Sequence, residues 1–215
     1  MTSRSDFHET KDQLTLWLLL CKLKEYGFKT RRLKLQKLIY LSDVFGTILM
    51  KKPTGYTFRV YKHGPFSKEI YLDIERLVSL DFVKAKQIGI WEPNEDRSFE
   101  YEIEEKEVSK ANVLLHRREF DVIKRPVEIA VQAAGYLNAR GIQKLVYGEP
   151  NFIEAKKKGF GSIIDPSYAF AVEFREMSKR ISSEEFGLDL NEEEVLWLYV
   201  NFIKTLQVKE NNGIA

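Results

Sequence analysis

Residues 14–23 read LTLWLLLCKL, and this stretch restricts the fold more than any other. Leu14, Trp17, Leu18 and Cys21 recur at helical spacing, and Leu16, Leu19, Leu20 and Leu23 carry the apolar surface nearly all the way round. A helix apolar on every side needs neighbours on every side. Its unbroken apolar run, 16–21, is far shorter than the roughly 20 residues that a membrane span needs. The sequence therefore predicts a central buried helix, opening near Thr10 or Asp12 and stopped by Gly27, with no membrane partner. Cys21, the single cysteine, reads as a small core residue, which rules out an internal disulfide. The opening MTSRSDFHETKD lacks the basic-then-apolar layout of a secretory leader, so a cytoplasmic protein is expected.

Apolar residues make up 44% of the 215 residues and charged ones 31%, enough to bury a core and keep a solvated surface. A second helix is predicted over 30–49, capped by Thr30, with Leu35, Leu38, Ile39, Ser42 and Phe45 on one stripe. Residues 56–61 alternate as a short strand that Gly64-Pro65 breaks. A third helix starts at Ser67, carrying Ile70, Ile74, Leu77 and Val78. FVKAKQIGIW and FEYEIEE, around a polar turn, read as a hairpin. This order predicts a mainly α protein with a small β-hairpin: a winged-helix-like region over 1–108, with a helical region over 109–215 packed on it. Helical segments are expected near 109–123, 126–138, 140–147, 151–158, 166–181 and 191–208. Pro126, Pro150 and Pro166 fall at first turns, and Asn191 leads Glu192-Glu193-Glu194.

YKHGPFSKEI, residues 61–70, places a His and a Ser around a Gly-Pro turn. A nucleophile–base pair at Ser67 and His63 would need an oxyanion site and an elbow that this context lacks. Ser67 reads instead as the cap of the third helix. Glu104-Glu105-Lys106, with Asp96 upstream, suggests a metal-dependent nuclease as a remote alternative. The alternation of Glu100, Glu102 and Glu104 along a strand fits one solvated face better. KKKGFG at 156–161 puts its lysines before its glycines, the reverse of a phosphate loop, and reads as a helix end. His8, His63 and His116 are too scattered for a predicted metal site. No catalytic residue, metal or cofactor is expected.

The net charge of +2 hides an uneven distribution. Residues 1–90 hold 17 Lys/Arg against 9 Asp/Glu, and residues 91–110 hold 3 against 8. Arg31, Arg32, Lys34 and Lys37 on the second helix, with Lys62, His63 and Lys68 around the Gly-Pro turn, are the candidate binding set for nucleic acid or a protein partner. Glu69, Asp73 and Glu75 make the third helix a poor groove reader. The expected function is a non-enzymatic nucleic-acid-associated regulator. The sequence specifies no oligomeric state.

LKLQKLIYLSD followed by FRVYKHGPFSKEIYLDIERLVSLDFV resembles the Panacea (SocA-like) antitoxin domain and its YwgA-like relatives. The resemblance rests on Lys34, Leu35, Lys37, Leu38, Tyr40, Tyr61, Gly64 and Pro65, and extends to Lys144-Leu145-Val146-Tyr147 if that segment belongs. It implies a mainly helical, non-enzymatic domain that grips a toxin-like protein partner or hands it to a protease. The turn here is G-P-F-S where many antitoxin members have G-P-V-x-P, and a helical tail follows Pro150. The turn favours the less characterised relatives, for which no activity is implied, and the tail is a further departure from the antitoxin members that leaves the fold expectation unchanged.

Overall fold

The computed structural model describes residues 6–88, 99–165 and 169–211. In chain order the elements are α1 (Asp6–Glu25), β1 (Thr30–Arg31), α2 (Arg32–Ile48), β2 (Phe58–Tyr61), β3 (Gly64–Phe66), α3 (Lys68–Ser79), β4 (Lys84–Gln87) and β5 (Phe99–Glu102). They continue with α4 (Glu105–Leu115), a 3-10 turn (Arg118–Phe120), α5 (Asp121–Ala134), α6 (Ala139–Tyr147), α7 (Pro150–Lys157), β6 (Ile163–Ile164), α8 (Ala169–Phe186) and α9 (Glu192–Asn211). The protein is mainly helical with two small antiparallel sheets, of strand order β1-β5-β4 and β3-β2-β6.

The apolar run of α1 is buried as its composition demands: residues 16–21 and Leu23 are all interior. Helices α3, α4 and α5 cover it. Each such leucine contributes about 1.5–3 kcal/mol of burial. Gly27, at φ 70°, ends the helix. Phe28 N–H reaches back to Leu23 O at 2.8 Å and Gly27 N–H to Lys24 O at 2.9 Å, closing the last carbonyls. Among the described residues no helix is long and apolar enough to cross a membrane.

The expected run of two helices, strand, helix and hairpin is present, but the helical trio of a winged helix is not its main contact. Helix α3 packs on α1, whereas the principal helical partner of α2 is α5, from the second half of the chain. One hydrophobic cluster runs from Leu16 to Ile203, so both halves share a core. The tip joining β4 to β5 lies outside the described residues, as does Pro166. Thr30 does not cap α2: it pairs with Tyr101 in β1, and Arg31 occupies the cap position without a side-chain bond. Pro150 does open α7. Pro126 does not open a helix, because the preceding 3-10 turn moves the start of α5 back to Asp121.

The loop from α2 to β2 is held by three buried carboxylates. Asp12 accepts from Gly55 N–H at 2.7 Å, and Asp43 accepts from Thr54 N–H at 3.0 Å and from the Thr54 hydroxyl. Asp73 accepts from the Tyr56 hydroxyl at 2.9 Å and from Gln13 Nε2 at 3.1 Å. These bonds fix where β2 begins and so position the hairpin that follows.

Candidate functional site

Gly64-Pro65 does not end the strand. It turns the chain back through Lys62-His63 into β3, with Tyr61 opposite Gly64, Val60 opposite Pro65 and Arg59 opposite Phe66. Pro65 has no N–H to give, and β3 is an edge strand, where that lack is tolerated. Gly64 adopts φ 96°, and a Cβ there would meet Tyr147 Cε1 at 3.1 Å and Lys37 Cε at 3.3 Å. Only glycine lets the turn approach α2 and α6 this closely.

Helix α2 grips the hairpin from below. Lys37, only 2% exposed, donates through Nζ to Pro65 O at 2.6 Å. Burial pushes its ammonium from 10.5 down to about 7. Gln36 satisfies both backbone groups of Ser67: Nε2 donates to Ser67 O at 2.7 Å and Oε1 accepts from Ser67 N–H at 3.0 Å. One turn on, the Tyr40 hydroxyl donates to buried Glu149, which also accepts from the Tyr199 hydroxyl at 2.8 Å. The same carboxylate accepts from Asn151 N–H at 3.1 Å and Phe152 N–H at 2.9 Å. Burial raises the pKa of Glu149, while its four donors pull it down. Lys34 Nζ donates to Lys29 O at 3.1 Å and lies 5.5 Å from the Phe28 ring centroid. Thus Lys34, Lys37 and Tyr40, the polar positions of the K-L-x-K-L-x-Y helix, tie α2 to its surroundings.

The outer face of sheet β3-β2-β6 is built differently. Along β2, Phe58 and Val60 point inward and Arg59 and Tyr61 outward. Tyr61 stacks on Phe66 with ring centroids 5.0 Å apart, and Phe160 lies 4.9 Å from Tyr61 on its other flank. Phe66 meets Tyr71 edge-on at 5.4 Å. Phe160 is 71% exposed, Tyr61 48% and Ile163, opposite Arg59, 55%. Strand β6 brings the segment after α7 to this corner: Gly161 N–H donates to Val60 O at 2.9 Å and Arg59 to Gly161 O at 3.1 Å. The exposed lysines Lys156, Lys157 and Lys158 arrive with it, Lys156 lying 5.3 Å from the centroid of Tyr147. Segments 59–68 and 156–163 together hold six Lys/Arg and no Asp/Glu; Lys157 is paired with Glu154 of α7 at 2.5 Å and Glu69 follows Lys68, so cations outnumber acids around the aromatic corner.

The seven candidate residues divide. Lys62, His63 and Lys68 are exposed and gather at the hairpin. Arg31 is exposed but sits on the other sheet, 3.8 Å from Glu100. Arg32 is half-buried, its guanidinium 4.5 Å from the Tyr71 centroid and 4.8 Å from that of Phe99, with Nε donating to the Tyr101 hydroxyl at 3.2 Å. Lys34 and Lys37 are interior, and their expected place on a binding surface is corrected: both ammonium groups serve backbone carbonyls inside the fold. Arg59, Phe160 and the 156–158 lysines were missed as partners of the turn. The alternation of 56–61 gave the side of Tyr61 and Arg59, but only the long-range pairing with β6 brings Phe160 there.

The chemical alternatives find different partners. Ser67 is buried; its hydroxyl donates to Glu69 and not to His63, and it accepts from no helix N–H, so its expected capping bond is absent. Glu104 is paired with Lys84 and Lys106, whose hydrogen bonds hold its carboxyl down to about 2. Asp96 lies outside the described residues. Glu100 is buried while Glu102 is exposed, so these acids do not share one solvated face. Among the described residues no group of three His, Cys, Asp or Glu is placed to hold a metal. Comparison with known protein families finds no matching family, and no curated protein is significantly similar to the chain.

Proposed function

We propose that the protein is a non-enzymatic, cytoplasmic nucleic-acid-binding regulator that meets its ligand with the Gly-Pro hairpin and the outer face of sheet β3-β2-β6. The observation that carries this reading is the joining of exposed rings, Tyr61 and Phe160, to a rim of Arg59, Lys62, His63, Lys68 and the 156–158 lysines. Lysines and arginines neutralise phosphates and aromatic rings give apolar contact, the two components nucleic-acid surfaces combine. The order α1-β1-α2-β2-β3-α3-β4-β5, with β1 joining the β4–β5 pair and the β2–β3 hairpin inserted before α3, supports a winged-helix-like frame. Helix α3 is not the reading element in this proposal, because Leu72 and Glu75 stand among the exposed Lys68 and Arg76 on its outer side. Binding should weaken steeply with salt, and Lys62→Ala with Lys68→Ala should lower the log–log slope by about 1.4–1.8. Absent or salt-independent binding to DNA and RNA would defeat this reading.

A second reading, an antitoxin-like or adaptor protein, is favoured by exposed Leu72, Leu80 and Phe82 along and after α3. Apolar side chains on a helix and its exit suit a protein partner better than phosphates. The motif resemblance of Lys34, Lys37, Tyr40, Gly64 and Pro65 to the Panacea domain points the same way. It predicts a toxic product encoded beside this protein and a co-purifying complex that Leu72→Asp disrupts. Equal tolerance of that product with and without this protein counts against it.

A further inference from the structure

The aromatic corner has a chemistry that distinguishes between forms of nucleic acid. Phe160 stands in a turn between Gly159 and Gly161, both at positive φ, with most of its ring in water. An exposed phenyl at a glycine-flanked tip gives the fold little, since among the described residues its one ring contact is Tyr61, 4.9 Å away. Tyr61 in turn leans on Phe66, and Phe66 on Tyr71, so the outermost rings are backed by a continuous row reaching to the Arg32 guanidinium. The row is therefore stiff behind and open in front. Ring faces of this kind gain most from another flat π-system laid against them.

We propose that this corner takes single-stranded nucleic acid, stacking a base on the open face of Phe160, which Tyr61 backs, while Lys62, Lys68, Arg59 and the lysines at 156–158 meet the phosphates. The proposal rests on the nucleic-acid reading above and narrows it. In a duplex each base face is already covered by its neighbours, so exposed rings outside a groove add nothing to binding; in a single strand the faces are free. The element that would enter a major groove, α3, interrupts its exposed Lys68 and Arg76 with Leu72 and Glu75 on its outer side and so does not favour duplex. Two segments distant in sequence, 58–66 and 160–164, are needed to build the corner. Pairing of Phe58 with Ile164 and of Arg59 with Ile163 holds them together.

The test is fluorescence anisotropy with the full chain and labelled oligo-uridine, oligo-thymidine and a mixed-sequence duplex of equal length, at low and moderate salt. Either single strand is expected to bind at least about tenfold more tightly than the duplex. Phe160→Ala and Tyr61→Ala should each weaken single-strand binding about five- to hundredfold and leave duplex binding unchanged, while Tyr61→Phe retains it. Both residues are exposed, so the variants are expected to remain folded, which circular dichroism melts check. Equal affinity for duplex and single strands, with Phe160→Ala silent, overturns this proposal and leaves the broader reading standing. Absence of salt-sensitive binding to all three oligonucleotides overturns both.

Discussion

Lys37→Met should make the protein more stable at neutral pH, although it removes a short hydrogen bond. The unfolded side chain titrates near 10.5 and the folded one near 7. Between those values the unfolded chain holds more protons than the folded chain, so stability rises with pH. At about 1.4 kcal/mol per pH unit, releasing that proton costs the fold about 4 kcal/mol at pH 7 and about 2 kcal/mol at pH 9. Methionine keeps the buried stem but gives up the bond to Pro65 O, leaving a carbonyl unpaired at a cost of about 1–3 kcal/mol. The balance is a variant about 2 kcal/mol more stable than the parent at pH 7 and near parity at pH 9. Urea unfolding of both proteins at several pH values measures this. Asp43, which burial lifts to about 7, is common to both chains and cancels in the difference. A stability difference that stays flat from pH 7 to pH 9 would show that Lys37 is not held in the interior as a depressed base.

Other positions give expectations of the opposite sign. Gly64→Ala forces a left-handed backbone and a 3.1 Å contact with Tyr147. It should cost about 2 kcal/mol or more in thermal unfolding. Glu149→Ala strands two tyrosine hydroxyls and two backbone N–H groups in the core and should cost about 3–5 kcal/mol by urea unfolding. Gln36→Ala leaves both backbone groups of Ser67 unpaired. A loss of about 2–4 kcal/mol is expected, with the hairpin amides exchanging faster in hydrogen-exchange mass spectrometry. Cys21, whose thiol burial pushes up to about 12, should resist alkylation until global unfolding; rapid labelling of the native protein would contradict its core position.

Much of the scaffold was legible where the signal is local. The all-round apolar run of α1 demanded a central helix. Asn191 accepts from the N–H groups of Glu193 and Glu194 while Glu194 accepts from Asn191 N–H, as the run of acids after an asparagine predicted. What stayed hidden depended on distant chain. Gly64-Pro65 looks the same locally whether it ends a strand or folds it into a hairpin; the deciding contacts come from Gln36, Lys37 and Tyr147. Lys34 and Lys37 fell off the apolar stripe of α2 and were counted as surface charges. Helix α2 is covered on several sides by α5, α6, α8 and α9, and the backbone carbonyls that receive those lysines carry no sequence signature. The two-residue strand β1 exists only through Tyr101 and Glu100, some seventy residues on. The candidate corner was half visible: the cations of the turn could be read directly, but Phe160 reaches them only through β6.

Ultraviolet cross-linking of the full chain to a uridine oligonucleotide, with adducts located by peptide mass spectrometry, tests the ligand's position most directly. Adducts on Tyr61, Phe66 or Phe160 are the expected result. Adducts confined to α3 or to the β4–β5 pair would contradict it, because the ligand would then lie on those elements and not on the aromatic face of the Gly-Pro hairpin.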